Sequence, residues 1–265
     1  MLLAAGILVI GFMLIAGSLP VGIKLTAMGT ERTIGAVAAD EAFAKVRLFG
    51  LRNPTPADPW PADPNVHCVD YAGVSQLILT PNSDEYSYPS TDVRPDTKKY
   101  YWAAMCKYNL FDLGLDTFQV TVFVSRDTGL NTRYPYPSWN PLNTNPLLLA
   151  RYPRPVQVPV DAMGATGMVD TIQVVATPLS DSQEMARLIT DESVLLDDRT
   201  GQIMRVLKRG VNNPISGIYD PTIIRLENKL FDAGFGPRHV WVIPPAKGSG
   251  RYPGVGVYQR TIKFK

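Results

Sequence analysis

The chain opens with a charge-free, mostly apolar run at residues 1–23, and its first charged residue is Lys24. A helix of about 20 apolar residues crosses the hydrocarbon core of a bilayer. A cleavable secretory signal carries basic residues before its apolar part, and this run has none before it. A buried core helix rarely stays apolar on every face over such a length. The run therefore predicts a membrane-inserted helix.

The helical pattern continues beyond the apolar run into an amphipathic stalk at residues 24–52. Small and apolar residues recur there at steps of three and four, which places them on one helical face. This predicted packing stripe consists of Gly35, Ala39, Ala42, Val46 and Phe49. A membrane anchor alone does not need the roughly 75 Å that some 50 helical residues span. The pattern favours a helix that is half membrane segment and half core of its own domain.

A cluster of helix-breaking residues interrupts the apolar run. Gly17, Pro20 and Gly22 lie within six residues. Proline removes a backbone donor, and glycine lowers the cost of leaving helical geometry. We therefore expect a kink or an unwound stretch at about 16–22. Elsewhere on the run, small residues such as Gly6 and Gly11 predict close helix–helix packing inside a membrane.

A proline-rich segment at 53–64 ends the helical pattern and predicts a stiff linker. Beyond it, a head at 65–265 shows mostly strand signals. Residues 117–126 alternate apolar and polar side chains, which predicts a half-buried strand. Residues 193–207 predict a hairpin, and 240–264 a terminal hairpin. The predicted fold class is therefore α+β, with a long N-terminal helix packed on a mainly antiparallel β-sheet head.

The irregular stretch 127–160 is unusually long for a connection inside a compact domain. It carries Tyr134, Tyr136 and Trp139, which are candidates for exposed contacts with a neighbouring subunit, a glycan or a cell surface. The alternative is a proline-rich excursion that these aromatic side chains pin to the head.

Charge and cysteine content narrow the class of protein. The 26 basic and 24 acidic residues nearly balance, which predicts no nucleic-acid partner. Two widely spaced cysteines, Cys68 and Cys106, follow a membrane segment and predict a disulfide in an oxidising compartment. The alternative is two unrelated buried thiols.

Motifs that carry chemistry are missing from the sequence. The two histidines, His67 and His239, have no second ligand at metal spacing, so we expect neither a metal site nor a cofactor. The acidic pair Asp197 and Asp198 lies at a predicted turn and has the pattern of a solvated surface. The sequence therefore predicts a non-enzymatic protein.

The layout of the first 50 or so residues resembles the type IV pilins and the pseudopilins of type II secretion. The shared features are the charge-free start, a proline near the twentieth residue and the amphipathic stretch TERTIGAVAADEAFAKVRLFG at 30–50. Family members usually carry a glutamate at mature position five, where this chain has Ala5; some minor pseudopilins lack it too. The resemblance implies a cleaved basic leader, with Met1 as a mature, methylated N-terminus.

The resemblance implies a structural subunit that polymerises through its N-terminal helix into an extracellular filament. Its partners would be copies of itself, the inner membrane before assembly, and a pilus or secretion assembly machinery. One alternative is a minor pseudopilin of a type II secretion-like machine. A second is a membrane-anchored extracytoplasmic binding protein, whose helix only tethers the head.

Overall fold

A computed structural model describes most of the chain. The described residues are 2–52, 55, 60, 62, 67–76, 84–90, 98–108, 117–129, 132, 134–137, 147–150, 152–163, 169–176, 181–191, 193–213, 216–230, 238–246 and 252–264. Met1 and most of the predicted linker 53–64 lie outside these residues.

The N-terminal helix α1 (Leu2–Phe49) is one element of 48 residues. Gly50 follows the last helical residue, and its φ of 66° lies in the left-handed region that favours glycine. The Gly50 backbone N–H donates to the Val46 carbonyl at 3.1 Å and so closes the last turn. The helix therefore stops at Phe49 rather than at the predicted residue 52.

The predicted unwinding at 16–22 does not occur. The structure is helical throughout this segment, and Pro20 lies inside α1. Proline in a helix interior costs about 3 kcal/mol because one hydrogen bond is lost and its ring crowds the preceding turn. Ending the helix would leave several backbone N–H and C=O groups without intrahelical partners at each new terminus. The predicted unwound stretch at Gly17, Pro20 and Gly22 was therefore wrong, because continuing the helix loses fewer hydrogen bonds, whereas the alternative, a kink, stays a prediction.

Most of the remaining described chain is β-structure, with two short helices, α2 (Tyr71–Val74) and α3 (Ser182–Ala186). The strands in chain order are β1 (Val69–Asp70), β2 (Ser87–Tyr88), β3 (Tyr100–Tyr108), β4 (Thr117–Arg126), β5 (Tyr134–Pro137), β6 (Leu147–Ala150), β7 (Val156–Ala162), β8 (Val169–Val174), β9 (Val194–Asp197), β10 (Ile203–Asn212), β11 (Tyr219–Leu230), β12 (Arg238–Val242) and β13 (Gly254–Lys263). They form a five-stranded sheet, a closed six-stranded barrel and a two-stranded ribbon of β5 and β6.

The five-stranded sheet is antiparallel, with the order β1-β3-β4-β13 and with β2 also paired to β3. Strand β4 lies inside it: Val120 pairs with Cys106 on β3 and with Arg260 on β13. Because successive side chains of a strand point to opposite faces, even-numbered residues of β3 and β4 share one face and odd-numbered residues the other.

Helix α1 covers the even-numbered face of the sheet. The predicted stripe faces it: Gly35, Ala39, Ala42 and Val46 are buried, and Phe49 is partly buried. The buried sheet residues of the same core are Trp102, Ala104, Cys106, Phe118, Val120, Val122, Val124 and Ile262. The C-terminal half of α1 is therefore an integral part of the core of this sheet.

Ion pairs border the contact between α1 and the sheet. Arg126 on β4 pairs with Glu31, the first acidic residue of the helix. Further along, Arg260 on β13 pairs with Asp40 at 2.6 Å, and its guanidinium lies 4.8 Å from the ring centre of Phe43. Exposed pairs contribute at most about 1 kcal/mol each, so they orient the helix while apolar burial holds it.

The barrel covers the odd-numbered face of the sheet. Met105 and Phe123 pack there against Leu196, Trp241 and Ile243 from the barrel. The predicted half-buried strand 117–126 is therefore buried on both faces. This face is also polar: the Gln119 and Gln259 side-chain amides both donate to the Gly201 carbonyl, at 3.3 and 2.9 Å.

The barrel is closed in the order β10-β11-β8-β7-β12-β9, and every neighbouring pair is antiparallel. Buried side chains of all six strands form one cluster, to which α3 adds Met185 and Ala186. With β-branched and other apolar residues filling the interior, this small barrel has a packed core.

The predicted fold class was wrong about the head. The described body contains a sheet and a separate closed barrel, not one antiparallel sheet under a helix. The strands from β7 to β12 pair with one another and close, and closure removes the exposed strand edges that an open sheet would leave. The predicted terminal hairpin is wrong for the same reason, because β12 pairs with β7 and β9 while β13 returns to β4.

The closest approach of α1 to the sheet is testable at Gly35. A Cβ there would lie 2.8 Å from Val255 Cγ1 and 3.0 Å from the Tyr258 hydroxyl, whereas Gly29 has nothing within 4 Å. We expect Gly35→Val to lower the free energy of unfolding by about 1–3 kcal/mol through overpacking. Gly29→Val, the matched control, should change it by less than about 0.5 kcal/mol.

The measurement is denaturant unfolding of the full chain in detergent, followed by tryptophan fluorescence. Equal midpoints for the two glycine variants would show that α1 does not press against β13 at this point.

Candidate functional site

The N-terminal part of α1 is apolar and uncovered. We define the free segment as residues 11–27. None of its described side chains is buried against the rest of the protein. Its large apolar side chains, where the structure describes them, are more than half exposed: Phe12, Met13, Leu19, Val21, Ile23 and Leu25. So many apolar side chains in one stretch indicate a surface that lipid or protein covers.

Helix α1 is long and apolar enough to cross a membrane, and its position near the N-terminus also fits a signal sequence. Three threonine hydroxyls in and just after the free segment are hydrogen-bonded within the helix. The hydroxyls of Thr26, Thr30 and Thr33 each donate to the carbonyl four residues earlier, at 2.9, 3.0 and 3.0 Å. Such internal bonds suit a helix that enters an environment without water.

Small residues open gaps along the free segment. A Cβ at Gly11, Gly17 or Gly22 would meet nothing within 4 Å. Gly6 also lies in α1, at a position whose surroundings are outside the described part of the chain. The described packing residues therefore divide into two sets, with Gly35, Ala39, Ala42, Val46 and Phe49 docked on the sheet and Gly11 uncovered.

The predicted disulfide is wrong. Both cysteines are buried free thiols. Val69 is the residue that pairs with Cys106, so its neighbour Cys68 points to the opposite face of the sheet. Cys106 accordingly packs in the core beneath α1 and Cys68 in the core beneath the barrel. Burial raises the pKa of each thiol, so both stay protonated and neither is an activated nucleophile.

The structure tests only one of the three predicted exposed contacts in the stretch 127–160. Tyr134 is fully buried, and its hydroxyl accepts a hydrogen bond from the Thr128 backbone N–H at 3.0 Å, so it is not an exposed contact. Tyr136 lies on β5, and only its backbone is described. Trp139 lies outside the described residues. Tyr134 instead agrees with the alternative interpretation, in which aromatic side chains pin the proline-rich stretch to the head.

A polar cluster joins the barrel to the sheet, and sequence reasoning missed it. Asp198 is 2% exposed and lies 2.6 Å from His67, measured from Asp198 Oδ2 to His67 Nδ1. Its other oxygen accepts from the Trp241 indole at 2.7 Å and from the Cys68 backbone N–H at 3.1 Å. The Asp198 backbone N–H donates to the His239 carbonyl at 3.0 Å. Both histidines of the chain therefore contact Asp198, His67 through its ring and His239 through its backbone carbonyl.

The expectation that Asp197 and Asp198 are solvated was wrong. Asp197 is fully buried, accepts hydrogen bonds from Thr200, and lies 3.6 Å from Arg238. A turn-forming acidic pair is normally exposed, and no signal in the sequence says that the barrel presses this turn against the sheet. Among the described residues, no group of three or more His, Cys, Asp and Glu side chains could hold a metal ion.

Comparisons with known proteins add no identity: no family model, no curated protein and no solved structure matches this chain. The resemblance to pilins therefore remains one of layout in the first 50 or so residues. Two features of the molecule are instead notable: the free segment of α1 and the polar cluster around Asp198.

The polar cluster around Asp198 predicts that the stability of the fold depends on pH. Burial lowers the pKa of His239 below its ordinary value of 6.5, since desolvation outweighs the attraction of Asp198. The unfolded chain then binds a proton that the folded chain does not, so this contribution is complete above pH 6.5 and is lost as the pH falls below it. We expect His239→Gln to flatten the decline in unfolding free energy at acidic pH.

The readout is the slope of unfolding free energy between about pH 7.5 and 5.5, a window that brackets an ordinary histidine pKa. Lys263→Gln is the control, because Lys263 is exposed and lies on β13, away from this cluster. Identical slopes for the wild type and His239→Gln would contradict the assignment.

Proposed function

We propose that this chain is a membrane-inserted structural subunit that assembles with copies of itself through the free segment of α1, and that the product is an extracellular filament. The observation that carries the proposal is the continuity of α1. One helix holds the uncovered apolar segment and the stripe docked on the sheet, with no flexible joint between them.

Rigid coupling distinguishes an assembly subunit from a tethered head. A tether needs only a span and a flexible linker, and it gains nothing from the orientation of the head. Here the free segment leaves the body at a defined angle, because the docked half of α1 is packed against β3, β4 and β13. Neighbouring copies that pack through α1 would therefore hold their heads at a repeated orientation, as a filament requires.

Removing the apolar side chains of the free segment from water is energetically favourable. Each large apolar side chain gains about 1.5–3 kcal/mol when fully transferred out of water, so six amount to on the order of 10 kcal/mol. Before assembly, insertion into a bilayer would provide this gain in free energy. Between helices already in lipid the hydrophobic gain is absent, and close packing through small residues takes over.

The glycines of α1 offer a surface for that packing. On a helix of 3.6 residues per turn, Gly11, Gly22 and Gly29 lie within about 20° of one another around the axis. This glycine face lies roughly 120° from Gly35, which is docked on β13. A second helix can therefore approach the glycine face without meeting the head of its own subunit.

The proposal predicts that filling the glycine face prevents assembly. We expect Gly22→Leu to lower the yield of fibres and of cross-linked oligomers by about tenfold, which corresponds to about 1.4 kcal/mol. Val21→Leu is the matched control, because Val21 is already large and exposed and lies off the glycine face. The measurements are electron microscopy of sheared cell-surface material and chemical cross-linking in membranes.

A second variant separates assembly from tethering. Replacing residues 2–23 with an unrelated apolar span should preserve membrane insertion and abolish fibres. A full-length chain that stays monomeric in detergent, never co-fractionates with fibres and tolerates the replaced span would count against assembly and in favour of a tethered binding protein.

A further inference from the structure

The direction of α1 relative to the sheet defines two ends of the body. The Tyr258 hydroxyl on β13 donates to the Arg32 carbonyl, and further along both elements Arg260 pairs with Asp40. Helix α1 and strand β13 therefore run in the same direction. We call the end of the body at Gly254 the near end, because the free segment of α1 projects from it.

The barrel strands β9 and β10 can be placed on the same axis. Val194, the first residue of β9, lines a cleft together with Met28 and Gly254, so it lies at the near end. The turn after β9 lies at the far end, where the Gly201 carbonyl accepts from the Gln119 and Gln259 side chains. Strand β9 thus runs from near to far, and its antiparallel partner β10 runs back toward the near end.

Strand β10 does not stop at the near end. Its last residue paired with β9 is Arg205, opposite Val194. From Val206 to Asn212 it continues paired with β11, and the backbone N–H groups of Val206 and Arg209 also donate to Ser193 and Asp191, which precede β9. Opposite Arg209, Ile224 on β11 still pairs with Ile172 on β8. The hairpin residues beyond these neighbouring strands, Gly210–Asn212 and Tyr219–Thr222, therefore extend past the near end, on the side from which the free segment emerges.

The hairpin tip and the free segment of α1 lie on the same side of the body. Arg205, from which β10 continues to the tip, lines the same cleft as Met28 and Arg32 of α1. A bilayer that α1 spans would therefore face the hairpin tip.

The tip is ordered and carries exposed apolar side chains. The Asn213 N–H donates to the Ile218 carbonyl, and the Gly217 N–H to the Asn213 carbonyl, both at 2.8 Å. Ile218 is 71% exposed and Tyr219 is 63% exposed. The Tyr219 ring lies across Gly210 on the partner strand, where a Cβ would be 2.3 Å from the hydroxyl. The turn therefore presents these two side chains to the surroundings in a fixed geometry.

Charged residues surround the tyrosine. Lys208, Arg225 and Asp170 line the same shallow depression as Tyr219. Tyrosine beside basic side chains is typical of proteins at a membrane interface, where the ring lies at headgroup level and the cations lie near the phosphates.

We propose that the β10–β11 hairpin is a second membrane contact, in which Ile218 enters the headgroup region of a lipid bilayer and Tyr219 lies at its surface. The inference rests on the proposed insertion of α1. Together the helix and the hairpin would hold the body at one orientation to the bilayer, which a single span cannot do.

The test places an environment-sensitive fluorophore on single introduced cysteines of the full chain, reconstituted in vesicles of phosphatidylcholine and phosphatidylglycerol. The native cysteines are buried, so native labelling selects the introduced ones. Ile218→Cys reports the hairpin, Met13→Cys reports α1, and Lys263→Cys at the far end is the aqueous control. We expect iodide to quench the probe at 218 roughly threefold less than the probe at 263, and lipid-attached nitroxide to quench it more.

The outcomes separate the two proposals. A probe at 13 in lipid with a probe at 218 in water would overturn the hairpin contact and leave α1 insertion intact. Both probes in water would overturn both. Shielding at 218 that persists in detergent micelles and disappears on dilution of the protein would indicate contact with a second copy, and would also overturn the lipid contact.

Discussion

Strands β3 and β4 are buried on both faces, by α1 on one side and by the barrel on the other. Most other features follow from this arrangement. The helix needs a small and apolar stripe to lie flat on the even-numbered face, and Gly35 marks the point of closest approach. The barrel needs an outer surface that fits the odd-numbered face, and Leu196 and Trp241 supply it. The sheet is thus the layer through which the helix and the barrel are held together.

The joint between the sheet and the barrel is partly polar. Burying polar groups is tolerable only when each finds a partner, and the turn after β9 provides several. The Gly201 carbonyl accepts from two glutamine side chains, while Asp198 accepts from His67, Trp241 and the Cys68 backbone. These bonds depend on direction, so they specify one placement of the barrel where an apolar contact alone would allow sliding.

This rigidity bears on the proposed function. The free segment of α1 and the overhanging β10–β11 hairpin belong to different layers, and each would be useless as a positioning device if the layers moved independently. The sheet links them through the docked stripe of α1 and the joint at Asp198. Under the proposed function, a body held in this way would present neighbouring copies with a constant geometry, which self-assembly needs more than ligand capture does.

The sequence by itself determined the long N-terminal helix, its apolar start and its docked stripe, because helical periodicity and hydrophobicity are local patterns. It also indicated strands near 117–126 and 193–207 and the turn at Gly201. Only the tertiary structure decided that β12 and β13 belong to different sheets, that the two cysteines lie on opposite faces of the sheet, and that Asp198 is buried against His67 and Trp241. Those outcomes depend on which strands pair and on what covers each face, and residues far apart in the chain settle both.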